Sequence, residues 1–105
     1  MPDEREFLIE LAVDAHMRIR FRGERGHIVE FMVQLEARIL DEWMPVVRYD
    51  NHHGSPHVDT HDRWGREIDK RWLSMSNADA LTHGMNDIKQ NWPQYIAQFM
   101  KGRLR

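Results

Sequence analysis

The chain has no cysteine in 105 residues. That excludes a disulfide framework, a thiolate zinc site and a cysteine nucleophile, and it points to a cytoplasmic location. Glycine and proline are scarce, six and four respectively. Flexible linkers are therefore not expected, and each of these residues marks a particular turn or break. No apolar run approaches the roughly 20 residues of a membrane-spanning helix. The opening MPDEREFLIELAV has no basic segment ahead of a long apolar one, so neither a signal peptide nor a membrane anchor is expected. An excess of one charge is also missing. Fifteen basic residues against 17 acidic ones leave −2, which argues against a nucleic-acid binder driven by net charge alone.

What is present suits one globular domain spanning 1–105, with 41% hydrophobic and 30% charged residues. The charges are segregated. Asp3, Glu4, Glu6, Glu10 and Asp14 face a single Arg5 in the first fourteen residues, and Arg18, Arg20, Arg22 and Arg25 surround Glu24 just after. A local basic face on a near-neutral protein is the natural expectation, with Glu30 and Glu36 as its neutralising partners.

Residues 16–22, HMRIRFR, alternate strictly: Met17, Ile19 and Phe21 on one side, three arginines on the other, as a half-buried strand requires. After GERG, the residues Val29, Phe31, Val33, Leu35 and Ala37 share one side of a second strand. A three-residue loop, Glu24–Gly26 with Gly26 left-handed, would set Phe21 opposite Val29, Ile19 opposite Phe31 and Arg20 opposite Glu30. WMPVVRYD reads as a third strand, with Pro45 near its start or on an unpaired side. HVDTHD makes a fourth beginning near His57, DRWG a turn, and REIDKRWL a fifth with Ile68 and Trp72 on one face. From Ser76 the pattern becomes helical over 76–101, with Ser76 as N-cap and Asp79 in the first turn. Leu81, Met85, Ile88, Trp92, Tyr95 and Phe99 form its apolar stripe, Pro93 kinks or restarts it, and Gly102 is the expected stop. Phe7, Leu8 and Leu11 favour a short helix in 1–15, with a strand as the alternative. The expected fold is α+β: an antiparallel meander sheet of about five strands with a long, Pro-kinked C-terminal helix packed on one face. Trp72 and Trp92 are assigned to the core, and Trp64 to an exposed stacking or partner-binding position.

The stretch VVRYDNHHGSPHVDTHDRWG, residues 46–65, holds four of the seven histidines. Four readings are open. His57, Asp59 and His61 recur at i, i+2 and i+4, so a strand would aim them at one side, where imidazole and carboxylate could hold a divalent transition metal. His53, His57 and His61 could instead supply acid–base groups oriented by Asp50 and Asp59, with Arg48 binding phosphate, the set a ribonuclease-like reaction needs. Asp50-Asn51 and Gly54-Ser55-Pro56 are also ordinary turn chemistry. Finally, the arginine row could contact nucleic acid without chemistry.

These residues also carry a resemblance. The pattern VVRYD-x-x-HG-x-PH-x-D, then a D-x-x-G turn and a closing helix, resembles an uncharacterised family of small prokaryotic proteins and implies a shared fold. Arg48, Tyr49, Asp50, Asn51, His53, Pro56 and His57 are more distantly similar to the TumE group of toxin–antitoxin proteins. That group usually carries a tighter His-Lys-His where this chain has His57-Val58-Asp59-Thr60-His61. The second resemblance implies action on RNA and a cognate antitoxin as partner. The rival expectation is a non-enzymatic binding or assembly module using the same turn as a metal or protein contact. An exposed strand edge would favour a homo-oligomer.

Overall fold

A computed structural model describes residues 3–52 and 54–101. Six strands form one antiparallel sheet in chain order: β1 (Asp3–Ala12), β2 (Ala15–Glu24), β3 (His27–Ile39), β4 (Glu42–Asp50), β5 (His57–His61) and β6 (Glu67–Trp72). One helix follows, α1 (Asn77–Lys101). The architecture is α+β, with the helix lying over β3 and β4. The expected stop at Gly102 lies outside the described residues.

The core fills the space between helix and sheet. Met17, Ile19, Phe31, Val33, Leu35, Val47, Tyr49 and Val58 meet Ala80, Leu81, Ile88 and Phe99. Alternation delivers the strand residues to that side, and the three-four stripe delivers the helical ones. The Ser76 hydroxyl accepts a hydrogen bond from the Asp79 amide at 3.1 Å, as an N-cap should. Pro93 sits at an exposed position inside α1, which runs through it unbroken.

Three expectations need correction. The N-terminal segment is a strand, which makes six strands in the sheet. Its apolar residues suit a helix locally, but its carboxylates meet the arginines of β2 across the ladder: Glu4 opposite Arg22 and Glu6 opposite Arg20. The β2–β3 turn has two residues, Arg25 and Gly26, both at positive φ (53° and 79°), with Glu24 facing His27. That is the hairpin geometry whose twist matches the flanking strands. Val29 is left over as a bulge, so Phe21 faces Phe31, Ile19 faces Val33, and Arg22 rather than Arg20 faces Glu30. The slip is two residues, and the apolar sets keep their side. Trp72, assigned to the core, is 57% exposed, because it lies opposite His57 on the sheet face turned away from the helix, at the edge strand β6.

A second bulge positions the site. Leu35 pairs with Val47 but Glu36 pairs with Pro45, leaving Val46 extra. One inserted residue flips the alternation of everything beyond it. Val46 and Val47 are both buried as a result, Tyr49 stays on the helix side, and Arg48 and Asp50 turn to the opposite face. Pro45 costs little here, since the β5 ladder begins only at Val47.

Helix and sheet pack tightly at Gly84, where an added Cβ would lie 2.8 Å from Tyr49 Cγ. Tyr49 cannot yield, because its ring is buried and its hydroxyl donates to Asp87 at 2.6 Å. Gly84→Ala gains about 1 kcal/mol of helix propensity but incurs about 1–3 kcal/mol of overpacking. The expected net result is a lower urea midpoint than the parent chain; an equal or higher midpoint contradicts the close packing.

Candidate functional site: a buried Asp–His–Asp group on the open face

Among the described residues no element covers the sheet face opposite the helix, yet His16, Gln34 and Glu36 at one end and Asp50, His57, Asp59 and His61 at the other are buried. Glu36 is the hub at one end. His16 Nε2 lies 2.5 Å from its Oε1, Gln34 Nε2 donates to Oε2 at 2.6 Å, and Arg18 Nε donates to Oε2 at 3.0 Å. Arg48 Nε then donates to Gln34 Oε1 at 2.6 Å, carrying the network to β4. Burial pushes the Glu36 carboxyl up, but the bonds from Arg18, His16 and Gln34 outweigh it and hold the group below its ordinary value of 4.5. The arginine row is accordingly spoken for in part. Arg18 pairs with Glu36 and Glu6, and Arg22 with Glu30 and Glu24.

At the other end the register brings β4 and β5 together, with Asp50 opposite His57 and Arg48 opposite Asp59. His57 Nδ1 lies 2.9 Å from the Ser55 carbonyl oxygen. A carbonyl only accepts, so Nδ1 carries a proton. Nε2 then faces two more acceptors, Asp50 Oδ1 at 2.8 Å and Asp59 Oδ2 at 3.5 Å. Three arrangements satisfy this geometry: a second proton on Nε2, a proton on Asp50 or Asp59 donated to the Nε2 lone pair, or a cation held among the three. One ligand atom from each of these residues lies within 4.8 Å of the others. Tetrahedral ligands about 2.1 Å from a metal are roughly 3.4 Å apart, close to the His57–Asp59 separation.

The group is dry. His57 is 1% exposed, Asp50 7% and Asp59 5%. Trp72 closes over His57 edge-on, with ring centroids 5.0 Å apart. Lys70 Nζ reaches Asp59 Oδ1 at 2.9 Å and has Glu67 as a second partner at 3.8 Å. Asp50 Oδ1 also accepts the His52 amide at 3.3 Å, so it serves the turn as well.

Of the residues singled out by sequence, Asp50, His57 and Asp59 converge, with Arg48 beside them on the same face. His61 shares that face of β5 but stands outside the three. Its Nδ1 is buried with no hydrogen-bond partner among the described residues, and burial, with the Arg48 charge second, lowers its pKa from 6.5. His53 lies outside the described residues. Asp62 is given to the β5–β6 turn, accepting the amides of Trp64 and Arg66. Trp64 is exposed as expected, with the Arg66 guanidinium 5.4 Å from its ring. Lys70, Trp72 and the Gln34–Glu36 relay were missed, since only the fold brings them here. Asp50 as a partner of His57 was available to reasoning, because residues that flank a hairpin loop face each other.

The model of a family described as a domain of unknown function (DUF7718) matches residues 1–105. No curated protein and no solved structure matches. No helix among the described residues is long and apolar enough to cross a membrane.

Because Glu36 is held below its ordinary value, its ionised form contributes stability that is full above pH 4.5 and is lost as pH falls through the depressed folded value. Denaturant midpoints measured downward from that pH should fall in the parent chain and fall less steeply in Glu36→Gln. Parallel profiles would remove Glu36 as the hub.

Proposed function

This chain belongs to the DUF7718 family, and we propose that it is a binding protein whose working part is a divalent-cation site at Asp50, His57 and Asp59. The observation that supports it is the proton inventory of His57: Nδ1 is committed to the Ser55 carbonyl, so Nε2 and two carboxylates point at one another. A backbone carbonyl fixing the far nitrogen of a ligating imidazole is the usual way proteins orient such a ligand. Mixed nitrogen and oxygen donors suit zinc, nickel or copper. Lys70 holds Asp59 through Oδ1 while Oδ2 faces His57, so the oxygen offered to a cation is not the one Lys70 occupies. A cytoplasmic setting belongs to the same reading.

A second reading is action on RNA in a toxin–antitoxin pair. It draws on Arg48 and Asp50, which line one cleft, a phosphate contact beside a carboxylate. Against it, the His57 imidazole is covered by Trp72 and turned to carboxylates, a poor attitude for proton transfer to a ribose hydroxyl. If it holds, expression slows growth and Arg48→Ala or His57→Ala relieves the effect; full toxicity of both variants disposes of the assignment.

Calorimetric titration with zinc and with nickel tests the first reading. One ion per chain is expected, weakened tenfold or more in Asp50→Asn and in His57→Gln. His61→Ala reports whether the ligand set expected from spacing, His57, Asp59 and His61, extends to that residue. Equal heats in parent, Asp50→Asn and His57→Gln would dispose of the metal site.

A further inference from the structure

A cleft of about 770 Å³ opens on the polar face, at the end of the sheet where the β2–β3 hairpin and the 51–56 turn lie. Arg20 on β2, Arg22 on β2 and Arg48 on β4 all line it, and they differ in what holds them. Arg22 is neutralised by Glu30 and Glu24. The Arg20 side chain is exposed and makes no hydrogen bond or ion pair among the described residues. Arg48 is gripped by one edge only, its Nε on Gln34, and Gln34 is itself held by Glu36. The guanidinium is thus fixed in place, and its terminal nitrogens bond to no side chain among the described residues.

We propose that this cleft binds a small phosphorylated ligand, a mono- or diphosphate ester, with Arg20 and Arg48 as its phosphate contacts. Two guanidinium groups with unused donors form the fork geometry that takes phosphate oxygens in pairs. Arg20 and Arg48 stand on strands separated only by β3 and two residues apart in register, Arg20 opposite Met32 and Arg48 opposite Gln34, about 12 Å apart at the backbone given a strand spacing near 4.8 Å and a rise near 3.4 Å per residue. Long side chains leaning across Met32 and Gln34 can converge on one dianion or reach both ends of a diphosphate. The walls are stiff. Asn51 is spent on the β3 backbone, donating to the Val29 carbonyl at 3.0 Å and accepting the Phe31 amide at 3.1 Å, and Asn77 donates to the Ile28 carbonyl at 2.9 Å. With those amides occupied, the phosphate rather than the remainder of the ligand supplies the recognition.

Charge also sets the size of the ligand. Arg18 is cancelled by Glu36 and Glu6, and Arg22, in the cleft itself, by Glu30 and Glu24, while Glu4 and Asp50 also stand in the cleft wall. β1 adds Glu4, Glu6 and Glu10 along the same face. A polynucleotide needs a basic track several phosphates long, and its affinity then falls steeply with salt. Here no such track exists, and Arg20 and Arg48 are the cleft arginines whose terminal donors no carboxylate takes among the described residues. The proposal does not require the cation site, although Asp50 forms part of the same wall.

Titration calorimetry with inorganic phosphate, inorganic pyrophosphate, ADP and a twelve-nucleotide single-stranded RNA, all in excess chelator, tests this. Pyrophosphate and ADP should bind, and Arg20→Gln and Arg48→Gln should each weaken them at least tenfold. Arg20 is exposed, so its variant should keep the parent's melting temperature. Tighter binding of pyrophosphate than of ADP would make inorganic diphosphate the source, and the reverse an ester; either supports the site. RNA binding tighter than both, with a salt slope of several charges, would overturn the small-ligand assignment. Absence of heat with pyrophosphate and ADP at millimolar concentration, or unchanged affinity in the Arg20→Gln/Arg48→Gln double variant, would overturn the site itself. Phosphate binding that persists in chelator and in His57→Gln stands whether or not a metal ever binds, so the two proposals fail separately.

Discussion

A single helix can cover only part of a six-stranded sheet, and in this protein it covers one face of β3 and β4. The other face receives no layer among the described residues, yet strand alternation sends half of every strand there. Apolar residues would leave that face prone to association. The sequence supplies long polar side chains instead, and these bury one another. Each carboxylate so buried must be met by a donor, and this requirement generates the chain of contacts from His16 through Glu36, Gln34 and Arg48 toward Asp59, His57 and Asp50. The face is an interior made of hydrogen bonds, roofed at its two ends by Trp43 over His16 and Trp72 over His57.

The Pro45–Val46 bulge decides which residues enter that interior. Without the extra residue, Arg48 and Asp50 would fall on the helix side, where an unpaired charge is costly. With it, Asp50 meets His57 across the β4–β5 ladder. Three acceptor-rich groups then close on one another in a dry setting. Lys70 offsets one of the two carboxylate charges, and the imidazole nitrogen left without a carbonyl partner faces both carboxylates. The adjoining cleft poses the complementary case, in which guanidinium donors lack acceptors.

Much of the fold could be read from residue order. The strict alternation of HMRIRFR, the turn residues of 51–56 and the Ser76 cap are local signals, and β2, β3, β4, β5 and α1 follow them. Residues 3–12 could not be read the same way. Phe7, Leu8 and Leu11 fit either period, and what selects a strand is a row of arginines on β2. Trp72 was misjudged for a related reason, since only its register opposite His57 shows that it lies on the face away from the helix. At the site, the i, i+2, i+4 rule finds residues on one strand and so singles out His57, Asp59 and His61. Asp50 joins through register across a six-residue loop, and Lys70 arrives from β6, which no spacing within residues 46–65 encodes.

The protonation of the His57 ring is the most direct measure of this account. Long-range nitrogen–proton correlation spectra resolve Nδ1 and Nε2 of each histidine. On titration with zinc, His57 should keep its Nδ1 proton, held by Ser55, while Nε2 loses its proton and its resonance moves. A ring that retains the Nε2 proton at saturating zinc, or that carries no proton on Nδ1 without zinc, would contradict the assignment of this group as a cation site.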